Sequence, residues 1–160
     1  MGYNGTRGQV SMNTSNCFLY YFEDLAIGAS ASLQKTIAES DVYNFAGVSM
    51  DVNPIHLNEE FARKTKFRSR IAHGLISVGL LSGVFGTRMP GPGSILVTQS
   101  LRYRHPVYFG DTVTATVTVK KLVSRTKLIT FDTTCCVNDA IVISGEATVM
   151  APSRMTTSSN

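Results

Sequence analysis

The chain has 160 residues, 43% of them hydrophobic and 16% charged, with a formal net charge of +4 and a pI near 9.1. That composition describes one folded domain able to bury a core without disulfide or metal staples, and it excludes a disordered or fibrous chain. The mild positive charge suits an anionic small molecule as well as a nucleic acid, so its sign alone assigns neither.

Residues 1–18, "MGYNGTRGQVSMNTSNCF", are rich in Gly, Asn, Ser and Thr and have no apolar core of a signal peptide. They read as a disordered extension before a domain spanning 19–151, with a flexible tail over 152–160. Leu33 to Ile37 predicts a strand. Glu39-Ser40-Asp41 then supplies capping chemistry for a short helix carrying Val42, Phe45 and Ala46. In "DVNPIHLNEEFARKT", Asn53 is placed to cap a helix with Pro54 at its first position and Glu59 and Glu60 near its start. Ile55 and Phe61 are expected to anchor that helix inward.

The segment "GLISVGLLSGVFGTRM", Gly74 to Met89, is apolar in nearly every direction, which predicts a helix buried on almost all sides. Gly79, Ser82, Gly83 and Gly86 would let other backbone approach it, and "PGPG" at 90–93 ends it. From Ser94 the period changes to two. Four β-rich runs follow, divided by turn signals at Gly110-Asp111, Ser124-Arg125 and Asn138-Asp139. Val113, Ala115, Val117 and Val119 alternate with threonines, so one face of that strand is buried. The order predicts an α+β domain in which an antiparallel sheet wraps around one central helix.

Cys17, Cys135 and Cys136 form no spaced framework and no zinc-type pattern with histidine, which points to structural thiols in a reducing, cytoplasmic setting. No apolar run approaches the roughly 20 residues of a membrane span.

Chemistry concentrates in "SMDVNPIHLNEEFARKTKFRSRIAHG", Ser49 to Gly74, which holds two of the three histidines, His56 and His73. Taken singly, Asp51 is ordinary turn chemistry and His56 an ordinary exposed residue of a first helical turn. Together they are more informative, because the intervening turn can bring carboxylate and imidazole to one point, where they could hold a water between them. The N–H of Gly74 opens the apolar helix, where donors are unsatisfied and the dipole is positive, so it could stabilise an oxygen gaining charge. Gly74 could equally be only a small residue at a tight helix start. His73 reads best as structural support that orients the loop. Arg63, Lys64, Lys66, Arg68 and Arg70 form either a solvated face or an anion contact, and Arg102 and Arg104 share that choice.

"FAGVSMDVNPIH", then "IAHG" with Gly74 eighteen residues beyond His56, then "PGPGSILVTQSLRYRHPVYFGDTV" resemble the MaoC-like family, from about Phe22 to Ala151. More narrowly they resemble its (R)-specific enoyl-CoA hydratases and 3-hydroxyacyl-thioester dehydratases. The resemblance implies the hot-dog fold, a homodimer, an acyl-CoA thioester substrate, and no metal or organic cofactor. It implies that Asp51 and His56 activate water, with one taking its proton and the other, best His56, protonating C2. It implies that the Gly74 amide holds the thioester carbonyl and that Ser82 lies near the acyl end. Asn53, Phe85, Arg68, Arg70 and Arg102 complete the expected substrate contacts, with Phe85 capping the acyl tunnel so as to favour short or medium chains. Met50 departs from the glycine that many relatives carry before the acid, which should alter loop packing rather than chemistry. The alternatives are a 3-hydroxyacyl-acyl-carrier-protein dehydratase or a non-catalytic acyl-thioester-binding module. Nucleic-acid binding ranks last, because only Phe61 and Phe67 accompany the basic run.

Overall fold

Every second residue from Val113 to Val119, within the strand Thr112–Val123, disappears from solvent: Val113, Ala115 and Val117 are 0% exposed and Val119 is 1% exposed. This strand lies inside a five-stranded antiparallel sheet in a computed structural model that describes residues 17–154. The elements in chain order are β1 (Ser30–Thr36), α1 (Glu39–Ser49), α2 (Pro54–Leu57), α3 (Glu59–Arg63), α4 (Gly74–Thr87), β2 (Ile95–Tyr103), β3 (Thr112–Val123), β4 (Leu128–Val137) and β5 (Ala140–Met150). The sheet order is β1-β3-β4-β5-β2, so β3, β4 and β5 form a meander while β1 and β2 are its edges. The inner face of the sheet wraps α4, and Leu81, Val84 and Phe85 meet Val113, Ala115, Ile129 and Phe131 in one core.

The first strand begins earlier than expected, at Ser30, because its pairing with β3 runs from Ser30↔Thr118 to Thr36↔Thr112. Ile37 lies beyond the strand, fully buried, and exchanges backbone hydrogen bonds with Asp111 and Gly110. At the start of α1 the carboxylate of Asp41 accepts the Ala38 N–H at 2.8 Å. The helix expected after Pro54 is two helices. Asn58 leaves the helical region with φ −120° and ψ 109°, and its side chain caps α3 through the Phe61 N–H at 3.0 Å. This break turns Phe61 outward, to 46% exposure, and Ala62 takes the buried place instead.

Helix α4 is also less enclosed than its composition suggested. Ser77, Leu81, Val84 and Phe85 face the sheet, whereas Leu75, Gly79, Ser82 and Gly86 form an open stripe along the opposite side. The small residues therefore line solvent in the monomer; a β-carbon at Gly79 or Gly86 would meet nothing within 4 Å. The one exception is Gly83, which touches the Leu33 side chain.

The buried thiol of Cys135 is pushed up to about 12 by desolvation, so it packs as a protonated, inert side chain, while Cys136 on the next position is partly exposed. Residues 152–154 do not fray. The Pro152 carbonyl accepts from Phe22 N–H at 2.8 Å, and Arg154 pairs with Asp24 at 2.6 Å. The remainder of the expected tail, and the expected extension before residue 17, lie outside the described residues.

Candidate active site

The site starts with the end of α1. Met50 closes that helix in the left-handed conformation (φ 61°, ψ 14°), donating its N–H to the Ala46 carbonyl at 2.9 Å. A β-carbon there costs on the order of 1 kcal/mol, which gives a physical reason for the glycine that the resemblance expects at this position. Ser49 then steadies the turn: its hydroxyl donates to Phe45 O at 2.7 Å and accepts the Asp51 N–H at 3.2 Å. Asn53 finishes it. Its N–H donates to Asp51 Oδ1 at 3.2 Å, and its own Oδ1 accepts the Ile55 N–H at 3.2 Å, capping α2 with Pro54 at the first position. Asn53 thus orients the carboxylate; it does not line the cleft described below.

His56 leaves α2 and is 9% exposed. Its Nδ1 lies 2.8 Å from the Ile71 carbonyl, a pure acceptor, so Nδ1 carries the proton and Nε2 keeps its lone pair. Burial holds the imidazole below its ordinary value of 6.5, with neighbouring His73 adding to that and the Ile71 hydrogen bond and Asp51 opposing it. His73 is 2% exposed and stacks on His56 with ring centroids 3.8 Å apart, while Phe45 packs on its other neighbourhood at 4.9 Å. Its Nε2–H donates to the backbone carbonyl of Asp51 at 2.9 Å and lies 4.0 Å from the Asp51 carboxylate. The side chains of Asp51, His56 and His73 present donor atoms within 4.8 Å of one another, but both histidines already commit one nitrogen to a carbonyl. What remains open among the described residues is the buried Nδ1 of His73, a lone pair on His56 and a half-exposed carboxylate, and the last two make a pairing suited to a water molecule.

A cleft of about 340 Å³ opens beside this pair. Ala72, Ser77, Val107 and Ile143 are its buried walls, His56 and Gly74 face it, and Lys66, Tyr103, Arg104 and His105 surround its exposed mouth. Gly74 is the first residue of α4, so its N–H has no partner within the helix and sits at the positive end of the dipole. A side chain here would also collide with the ring of Tyr103. Ser77 is 1% exposed and its hydroxyl has no hydrogen-bond partner among the described residues, a state that typically costs about 1–3 kcal/mol.

Of the residues singled out in the sequence, His56 and Gly74 line the cleft and Asp51 joins them through the turn. Ser82 is on the open stripe of α4, away from it. Phe85 is 4% exposed and packs against Phe131 with centroids 5.2 Å apart, inside the core rather than at the cleft. Arg70 is held by Glu39 at 2.6 Å and Glu59 at 3.4 Å, over the ring of Phe109, so it ties α1 and α3 to the segment before α4. Arg68 and Arg102 are exposed and do not reach the cleft. Lys66 and Arg104, from the same basic stretches, do. Tyr103, His105 and Ser77 went unassigned. Tyr103 and His105 sit two apart where β2 gives way to Pro106, a spacing that puts both side chains on one side of an extended chain.

The family model "MaoC like domain" matches residues 26–140. The chain is 59% identical to an (R)-specific enoyl-CoA hydratase of Rhodospirillum rubrum, over 89% of this chain and 99% of that protein. It is 47% identical to a 3-hydroxybutyryl-CoA dehydratase of Methylorubrum extorquens, over 84% and 85% of the two chains. Among solved structures, the (R)-hydratase of Aeromonas caviae superposes with a TM-score of 0.78 at 40% identity, covering 80% of this chain and 98% of that one. The sheet-wrapped helix is therefore the hot-dog fold.

Because the folded pKa of His56 lies below that of the unfolded chain, the unfolded state binds the extra proton first. The stability associated with neutral His56 is therefore present above about 6.5 and is lost as pH falls below it. An NMR titration of the His56 imidazole should show a midpoint below 6.5 in the native protein; a midpoint at or above that value refutes the buried neutral tautomer.

Proposed function

The chain belongs to the MaoC-like domain family, and from that premise we propose that it is a hydro-lyase adding water to trans-2-enoyl-CoA to give (R)-3-hydroxyacyl-CoA, and reversing that step. The observation that carries the reading is a neutral, tautomer-fixed His56 that lines the cleft together with Gly74, the first residue of α4, and has the Asp51 carboxylate within 4.8 Å of its ring. The (R) product and the CoA carrier follow the proteins named for those activities at 59% and 47% identity. A short acyl group suits the modest cleft and the 3-hydroxybutyryl relative.

In this mechanism the Gly74 N–H donates to the thioester carbonyl and draws electron density from C3. Water sits between the Asp51 carboxylate and His56 Nε2. Nε2 takes one proton from the water as the oxygen bonds to C3, and Asp51 accepts the hydrogen bond of the other. The enolate carbons then collapse to the thioester as the new imidazolium returns its proton to C2. One O–H bond and the C2=C3 π bond break, and one C–O and one C–H bond form. A single imidazole serves both transfers, since the neutral tautomer arrives with no proton on Nε2.

The mouth of the cleft carries Lys66, Arg104 and His105, and among the described residues no acidic one lines it. We assign the phosphates of the thioester carrier to this rim. The reading also includes a homodimer. Strand β2 is an open edge carrying Ile95, Leu96 and Val97 at 59%, 44% and 49% exposure, and an apolar unpaired edge calls for a partner strand. The unpaired cysteines suit a cytoplasmic setting.

With crotonyl-CoA, followed by loss of the enoyl absorbance, Asp51→Ala and His56→Ala should each lower kcat/KM at least ~100-fold; near-normal turnover in either ends the mechanism. Carrier-protein thioesters assayed in parallel should be the poorer substrates. Raising salt should increase KM for crotonyl-CoA, and this sensitivity should shrink in Lys66→Ala/Arg104→Ala while kcat holds; a salt-independent KM removes the rim from the reading. Light scattering should give twice the 17.4 kDa chain mass, and Val97→Lys should shift it toward the monomer; a monomeric native protein refutes the β2 interface.

A further inference from the structure

We propose that Ser77 is a further catalytic residue, its hydroxyl donating a second hydrogen bond to the thioester carbonyl oxygen that the Gly74 N–H holds. The proposal rests on the hydratase reading above and adds a donor to it.

The first ground is what the hydroxyl does not do. A serine within a helix ordinarily returns its O–H to the carbonyl four residues back. Ser49 does so to Phe45 at 2.7 Å, and Thr87 does so to Gly83 at 2.7 Å. Ser77 does not: its Oγ is shielded from solvent, has no hydrogen-bond partner among the described residues, and belongs to a residue that lines the cleft. A buried donor left free at the wall of a cavity is matched to an acceptor that arrives in it.

The second ground is direction. Ser77 is three residues beyond Gly74, and both line the same cleft. The Cα–Cβ bond of a helical residue tilts toward the helix N-terminus, so the Ser77 hydroxyl leans over the turn that Gly74 opens. Backbone N–H and side-chain O–H thus share one side of the cavity, whereas the water-holding groups, the His56 lone pair and the Asp51 carboxylate, are acceptors. An acceptor oxygen in the substrate has its two donors on α4.

The third ground is rigidity. The Ser77 carbonyl accepts the Cys135 S–H at 3.5 Å, which fastens this turn to β4 at the bottom of the sheet. A donor fixed before the reaction stabilises developing charge without reorganising. The competing use of the hydroxyl is as a partner for His73 Nδ1, the other buried polar atom left unpaired at the start of α4. That use would make Ser77 a support for the histidine stack and would move stability rather than the substrate carbonyl.

The test compares native protein with Ser77→Ala by thermal unfolding, by crotonyl-CoA hydration, and by the infrared carbonyl stretch of bound butyryl-CoA, a saturated thioester that is not turned over. Expected are a kcat lower by about 100-fold, the scale of one oxyanion donor, an unchanged or higher melting temperature, and a smaller red shift of the bound carbonyl. An unchanged kcat overturns the proposal. So does a lower melting temperature with the carbonyl stretch unmoved, the signature of the His73 support role. Absence of hydration by the native protein instead overturns the hydratase reading, and the Ser77 proposal with it.

Discussion

The hydrogen bond from His73 to the Asp51 backbone carbonyl makes one site of two separate pieces of chain. Asp51 hangs on a turn after α1 that is steadied locally by Ser49 and Asn53, and His56 belongs to α2. Those local bonds set the shape of the turn but not its place against the rest of the molecule. His73, the residue that caps α4, reaches across at 2.9 Å to hold the turn and stacks on His56 at 3.8 Å. The helix whose first N–H is proposed to hold the carbonyl is thereby joined to both groups proposed to hold the water. A buried histidine with one nitrogen unpaired is a poor choice for stability alone. Its position makes sense as positioning: a shift of either loop would separate the Asp51–His56 pair, to which the proposed mechanism gives one shared water.

Local chemistry in the sequence was legible wherever a short segment decides its own conformation. The Asn53 cap, Pro54 at the first helical position, the period-two run of β3 and the spacing from Asp51 through His56 to Gly74 all belong to that class. What stayed hidden depends on which face of an element meets which neighbour. The apolar composition of α4 reads as burial on all sides, yet the sheet covers only the stripe of Ser77, Leu81, Val84 and Phe85. Phe85 therefore belongs to the core and Ser82 to the open side, a distinction no helical period reveals when every face is apolar or small. The same limit applies to the basic residues. Charge alone does not separate Arg70, locked between Glu39 and Glu59, from Lys66 at the cleft mouth.

That sorting of the arginines and lysines follows from burial. The Arg70 side chain is 18% exposed, and a guanidinium so shielded requires carboxylate partners, which α1 and α3 provide. Glu39, Glu59 and Tyr43 then form one fastening that brings α1, α3 and the strand-like segment before α4 into register. It acts on the site indirectly, because Ile71, which takes the His56 proton donor, comes one residue after Arg70. Charge near the active site is thus divided between pairs that build the frame and free cations left at the entrance.

The two chemistries of α4 are compatible because they use different groups of the same residues. Its sheet-facing side chains supply apolar packing from Leu81 onward, while its first turn offers an N–H and a buried hydroxyl, both donors, on residues that line the cleft. The same enclosure that desolvates His56 also lowers the local dielectric around those donors, and donors aimed at a forming charge act more strongly there than in water. A neutral base and a charge-stabilising wall make opposite demands on solvent only in appearance: excluding water keeps the imidazole unprotonated and strengthens the hold on the carbonyl. In the proposed mechanism the one water enters on the exposed side, where the Asp51 carboxylate stays half in solvent. The asymmetry of burial across the Asp51–His56 pair is therefore the feature by which, in the proposed mechanism, a dry site takes water as its reactant.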